Sequence, residues 1–461
     1  MRYLKQIIFL LFICSKGFGQ QLTYNEFIDQ VKKNHPLSKQ ATIVVDKANA
    51  DALIARSNFD PTIGFQSDMK TFDGKNYFNY QNTELKIPTW AGIDISTGIE
   101  SNRGQFLNSE VSKGQSSYLG ISVPVLKNLV IDKRRAAVLQ AKNLILASEQ
   151  EKQSIVNNLL LDASLQYWKW AAQYQLLKLY NQFVVTSTNR FNITKIAFNN
   201  GERASLDTLE ALTQLQQLKI LENDADLLFT NAGIELSYFL WDNQDSALQL
   251  SPTMIPDTLD SKKISMETAI GDLMSLSILQ NPEVRAYEYK INNLLIEKKL
   301  KFQSLLPMLN VKSNILNQNY NVFKDAGAQF YQNNYKFGVD FKMPLFLREG
   351  RGEYRKAKLK IEETNLAFAA KKIEVQNKVK TYSNENFFLK NQLETQFIIN
   401  KNTNSLLKGE LIKFYNGDSN LFVVNARENK VIETAEKLIS LQFKIVKSYY
   451  GLKWASGTIN Q

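Results

Sequence analysis

The chain of 461 residues carries a single histidine, His35, and a single cysteine, Cys14. A serine triad needs an imidazole set beside a nucleophile and an acid, a Cys/His zinc site needs several ligands, and a disulfide needs two thiols. One residue of each type builds none of these. Carboxylates are abundant, but neighbours such as Glu362-Glu363 fall in polar runs of helical character, where they read as solvated surface rather than as an acid and a base. No glycine-rich phosphate loop is present. The reading is of a chain that is no enzyme and that takes no metal and no cofactor.

What is left to explain is architecture. Hydrophobic residues make up 44% and charged residues 22%, with 20 Gly and 9 Pro, a folded composition with material for a large core. The formal net charge is +11, with Arg2, Lys5 and Lys16 contributing near the start. The remaining excess is spread thinly, which suits a solvated surface better than a nucleic-acid footprint, so no nucleic acid is expected as a partner. The basic start, the apolar run from Ile7 to Cys14, and Gly17 and Gly19 ahead of Gln20 spell an export signal over residues 1–19. Ile13 stands where a lipoprotein signal wants a small residue, so lipidation of Cys14 is left open. Beyond the signal no stretch approaches the ~18–20 consecutive apolar residues of a membrane-spanning helix. Any membrane crossing would be made with strands.

The second half restates the first. Pro36 is followed by Pro61 at an interval of 25 residues, and Pro282 by Pro307 at the same interval. A glycine-bearing strand then stops at a proline in each half, Tyr118 to Pro124 and Tyr335 to Pro344, and a basic helical start follows at Arg135 and Arg351. Phe198-Asn199-Asn200-Gly201 lines up with Phe414-Tyr415-Asn416-Gly417 after a shift of 216. Leu206 and Leu421 open the next helices, with Ala211 and Ala426 in step, and each half closes on a tryptophan, Trp241 and Trp454. The expected plan is a first repeat over 20–241 with strands in 62–125 and a tip turn at 199–201. A connector over 242–263 leads to a second repeat over 264–461, with strands in 309–345 and a tip turn at 415–417.

Between Asp132 and Asn200 there are 69 residues without Pro or Gly, with apolar positions at three-, four- and seven-residue spacings. A helix of that length spans about 100 Å at ~1.5 Å per residue and normally packs as a coiled coil. A second such run, free of Pro and Gly apart from Gly352 and Gly409, extends from Gly352 to Asn416. Alternating stretches fill Thr62 to Lys70, Tyr77 to Ile87, Gly92 to Glu100 and Ser117 to Val125, then Leu309 to Gln318 and Gln329 to Leu345. Taken alone these stretches favour a soluble β-subdomain, but their lengths near ten residues, with Tyr, Phe and Trp at their ends, also suit outer-membrane strands, and the long helices and export signal tip the balance that way. The fold class is α+β, mainly α. A secreted or surface-attached coiled-coil structural or adhesion protein would account for the rods and the signal. It would leave the repeated strands ending at Pro124 and Pro344 unexplained.

On these landmarks the sequence resembles the TolC-like outer-membrane efflux proteins, the outer membrane factors, over nearly the whole mature chain. The carriers are the repeated order of elements, the proline-ended strands leading into basic helices, and the hairpin tips Asn200-Gly201 to Leu206-Asp207-Thr208-Leu209-Glu210-Ala211 and Asn416-Gly417 to Leu421-Phe422-Val423-Val424-Asn425-Ala426. The resemblance implies a homotrimer in the outer membrane of a Gram-negative bacterium. Its strands would share one transmembrane β-barrel and its long helices an α-barrel tunnel in the periplasm. It further implies work as the exit duct of a tripartite efflux pump or a type I secretion system, joined through a periplasmic adaptor protein to an inner-membrane pump.

The same resemblance assigns roles by position. Asn200, Gly201, Leu206, Asp207, Glu210, Asn416, Gly417 and Leu421 would lie at the tunnel tip where the adaptor docks. Carboxylates past the second tip commonly ring the pore in this family, but here Phe422 and Asn425 occupy those positions, and they become the constriction candidates. Basic residues after the strands, among them Lys127, Arg134, Arg135, Arg348 and Arg351, would meet outer-membrane lipid head groups or form a solvated helix face. Six alternating stretches exceed the four strands per subunit typical of the family. Either the pair from Tyr77 to Glu100 forms a hairpin outside the membrane band, which is the favoured reading, or this branch has an enlarged strand region.

Overall fold

The computed structural model describes residues 21–105, 112–259, 270–318 and 334–460. The export signal and Cys14 lie outside these residues. Helix α1 (Tyr24–Asn34) starts at Thr23, whose hydroxyl accepts from the Glu26 amide (3.3 Å) while the Glu26 carboxylate accepts from the Thr23 amide (3.1 Å). This reciprocal cap satisfies two amides that the first turn leaves open. Pro36 has no amide hydrogen to lose in a first turn and starts α2 (Pro36–Ser57). Between them His35 is 2% exposed, packed among the rings of Tyr238, Phe239 and Trp241, and its Nδ1 accepts from the Leu37 amide (3.2 Å). Burial pushes its pKa below the ordinary imidazole value, so the one histidine is a neutral packing residue at pH 7.

Asp132 accepts from the Arg135 amide (2.8 Å) and so caps α3, which runs unbroken for 67 residues from Lys133 to Asn199 and returns through α4 (Ser205–Ser237). Short helices α5 (Ile270–Gln280) and α6 (Pro282–Gln303) precede α7, 68 residues from Arg348 to Tyr415, which returns through α8 (Leu421–Ser456). Helix α7 begins at Arg348, ahead of Gly352, and Gly350 in its first turn is packed on backbone: a Cβ there would stand 2.7 Å from the Ser304 carbonyl oxygen. Among the described residues no helix is long and apolar enough to cross a membrane.

Strands β1 (Gln21–Leu22), β2 (Thr62–Phe72), β3 (Lys75–Pro88), β4 (Asp94–Arg103), β5 (Gly114–Pro124), β6 (Ile255–Pro256), β7 (Met308–Gln318) and β8 (Tyr335–Lys342) form two sheets. The large one is antiparallel, with six strands in the order β2-β3-β4-β5-β7-β8. The β2–β3 turn is Asp73-Gly74, both at positive φ (53° and 69°), the pairing that suits a two-residue hairpin. The Tyr77–Glu100 pair is part of one continuous sheet. Strands β3 and β4 are hydrogen-bonded along their length between β2 and β5, with Gln66 opposite Asn82, Asn82 opposite Glu100 and Glu100 opposite Ser116.

The chain divides into two compact units. One comprises Met1–Ile43, Glu151–Arg285 and Lys371–Gln461, the other Val44–Gln150 and Ala286–Ala370. In the first unit Phe27, Leu160, Tyr167, Trp170 and Leu236 are almost wholly buried together. The Tyr167 hydroxyl donates to the Leu22 carbonyl (2.7 Å) and accepts from the Asp257 amide (2.9 Å), holding the parallel pair β1–β6 against this core. The stretch expected as a connector is thus stitched to the start of the described chain. In the second unit Ala52 and Ala55 of α2 meet Val138 and Ala141 of α3, small residues that let two helices approach closely.

Candidate functional site

The two helix turns that the sequence singles out lie in the first unit. Gly201 and Gly417 have φ of +80° and +85°, which a residue with a Cβ adopts only under strain. Each ends its helix with the same bonds. Gly201 donates to the Phe198 carbonyl (2.9 Å) and Glu202 to Ala197 (2.9 Å). At the second turn Gly417 donates to Phe414 (3.2 Å) and Asp418 to Lys413 (2.9 Å). Gly201→Ala and Gly417→Ala should each cost about 1 kcal/mol. The check is amide exchange at Glu202 and Asp418, and unchanged exchange would show that neither turn needs its left-handed residue.

The turns are held together across the hairpins α3–α4 and α7–α8. Arg203 lays its guanidinium over the Phe414 ring (4.6 Å) and donates to the Phe414 carbonyl (3.4 Å), so the first loop closes off the end of α7. Behind it Ala211, Leu407, Phe414, Leu421, Val424 and Val431 make one apolar cluster. Ten residues up α3, Arg190 grips Glu428 of α8 through two bonds, Nη1 to Oε2 at 3.0 Å and Nη2 to Oε1 at 2.5 Å, with side chains 5% and 1% exposed. Arg190 also donates to Asn425 Oδ1 (3.3 Å), Asn425 donates to Glu210 (3.0 Å), and Gln214 donates to Glu428 (3.4 Å) and Asn429 (2.8 Å). Further along, the Tyr180 hydroxyl donates to Glu436, and burial together with that carboxylate raises the phenol's pKa. The buried charges satisfy one another, the condition under which such a pair persists in an apolar interior.

Of the residues selected from sequence, Asn200, Gly201, Leu206, Asn416, Gly417 and Phe422 are solvent-exposed, with Leu206 at 73% and Phe422 at 70%. Asp207 and Glu210 are half-buried. Leu421 and Asn425 turn inward, at 1% and 4%, the first into the apolar cluster and the second into the polar network. Arg190 and Glu428, which hold that network together, went unnoticed in the sequence. Their only local signal is a charge at a position where the helix face is otherwise apolar.

Residues 27–240 match the family model described as outer membrane efflux protein. Over these residues the chain is similar to the outer membrane efflux proteins. The fold agrees over most of the chain. A membrane protein from Pseudomonas aeruginosa superimposes with a TM-score of 0.69 at 14% identity, covering 94% of this chain and 92% of that one. CusC gives 0.69 at 13%, covering 94% and 91%, and the Campylobacter jejuni outer membrane channel CmeC gives 0.64 at 14%, covering 94% and 85%. Among curated proteins none matches the sequence.

Proposed function

We propose that this chain is an outer membrane efflux protein that works as a homotrimeric channel-tunnel, the exit duct of a tripartite efflux pump or type I secretion system. The observation that carries the reading is the two-faced sheet. Ile63, Phe65 and Met69 of β2 and Phe337, Val339 and Phe341 of β8 project on one face and are 53–78% exposed. The other face carries Gln66, Asp68, Glu84, Glu100, Lys312 and Asp340. Apolar outside and polar inside is the pattern of a strand wall between lipid and water. A secreted coiled-coil protein would have no use for it.

In this reading the order of elements arose by internal duplication, and the matched bonds at the two glycine turns support it. The exposed positions Asn200, Gly201, Leu206, Asn416 and Gly417, flanked by Asp207 and Glu210, form the end to which a periplasmic adaptor docks, and the adaptor joins the duct to an inner-membrane pump. Leu421 supports that end from within. Phe422 is the constriction residue, since its side chain is outside the chain's own core. Asn425 acts behind it through the polar network. Transport is passive in this subunit, with energy supplied by the pump.

The test is single-channel conductance of the detergent-purified protein in planar bilayers together with its oligomer mass. A trimer with small, stable conductances supports the duct, and a soluble oligomer that never inserts overturns it in favour of the coiled-coil protein. Phe422→Ala should raise the conductance severalfold, while an unchanged conductance removes Phe422 from the constriction.

A further inference from the structure

The sheet has six strands where the resemblance led us to expect four, and its ends are open. Among the described residues, strand β2 pairs with β3 on one side only, and β8 with β7 on one side only. In a membrane every backbone N–H and C=O along such an edge must find a partner, because hydrocarbon offers none. The sheet cannot supply one by curling onto itself. About eight strands make a barrel just wide enough to be filled by side chains, and six would have to enclose Tyr80, Asn82, Glu84, Lys86, Glu100 and Lys312 in less space.

The extra hairpin is an integral part of this wall. Cross-strand partners keep the two faces in step through all six strands: Ile63 opposite Leu85, Leu85 opposite Thr97, Thr97 opposite Leu119, Leu119 opposite Ile315 and Ile315 opposite Tyr335 on the apolar side. On the polar side Tyr118 of β5 reaches over β4 to donate to Glu84 of β3 (2.6 Å). Gly98 of β4 leaves the room for it, since a Cβ there would stand 2.6 Å from the Tyr118 ring and hydroxyl. One side chain thus fastens three strands, the two added ones among them. Tyr80 likewise donates across β3–β4 to Glu100 (3.3 Å).

The geometry points to a second copy of this chain as the partner of each edge, with β8 of one subunit antiparallel to β2 of the next, and so to an eighteen-stranded barrel in a trimer. The inference rests on the trimeric duct proposed above. An even number of strands per subunit runs β2 and β8 in opposite directions, so the seam continues the antiparallel order without a break, and the exposed apolar residues of both edge strands meet on the lipid side. Barrel diameter grows with strand number, and at about 16–18 strands the interior holds an aqueous channel rather than packed side chains. The outer pore is then lined by Tyr80, Glu84 and Glu100 from the added hairpin and by Tyr118 of β5, and it is wider than four strands per subunit would allow.

The experiment places cysteine pairs on the polar face of the full-length protein, in membranes, with a short thiol–thiol cross-linker. Gln66→Cys with Asn82→Cys should join within one chain. Gln66→Cys with Ser116→Cys should not, because β3 and β4 separate those strands. Gln66→Cys combined in turn with Lys336→Cys, Gly338→Cys and Asp340→Cys should give dimer and trimer bands for at least one register. Joining of Gln66 to Ser116 within a chain, with the bands retained, would overturn the six-strand wall while leaving the trimeric duct intact. Absence of bands from a protein that also fails to insert would overturn both.

Discussion

Replacing Arg190 by alanine should loosen the paired turns by about 3–5 kcal/mol, the cost of leaving a buried charge without its partner. Glu428 is 0% exposed, and after that change its carboxylate keeps only the Gln214 amide at 3.4 Å. Glu428→Ala should cost as much for the opposite reason, a guanidinium held by Asn425 alone. The double variant Arg190→Met/Glu428→Leu should recover most of the loss, since it removes both charges and refills the space with apolar atoms. Amide exchange over residues 196–204 and 412–420, with protease cleavage at the loops, reads the effect. Single variants that exchange like the parent would show the pair to be idle, and a double variant as loose as the singles would assign the loss to packing rather than charge.

Trp170→Ala should be the most damaging change in the core of the first unit, again about 3–5 kcal/mol. The indole is 1% exposed, stacked on Phe229 (5.9 Å, 11° between planes) and edge-on to Tyr167 (5.9 Å). Gly233 of α4 lies beside it, where a Cβ would stand in ordinary contact, 3.6 Å from the indole nitrogen. Urea midpoints followed by far-UV dichroism measure the loss. Leu206→Ala, at a 73% exposed position, is the matched control and should move the midpoint little. Equal shifts for the two would mean that burial at Trp170 does not limit stability.

The long helices and the glycine turns were legible in the sequence because their causes are local. Sixty-nine residues without Pro or Gly leave nothing to stop a helix, and Asn-Gly at its end supplies the one residue at ease with positive φ. Strand positions were legible from alternation. Strand neighbours were not, because a period of two shows which face a side chain takes and says nothing of which strand lies beside it. The Tyr77–Glu100 pair therefore looked detachable until its register with Thr62–Phe72 and Gly114–Pro124 was known. The inward turn of Leu421 and Asn425 was hidden for a related reason, since a helix face is chosen by what packs on it. The Arg190–Glu428 pair spans 238 positions, far beyond any periodic signal. His35 was legible as lacking catalytic company, and its burial among aromatic rings supplies the packing reason for its presence.

Arg203 resting on Phe414 has a mechanical consequence. The loop of one hairpin serves as the end-stop of a helix in the other, so a pull on either loop loads both. A docking protein that gripped only the Gly201 loop would still drag the end of α7 with it, and the two turns would swing as one lever rather than as two fingers.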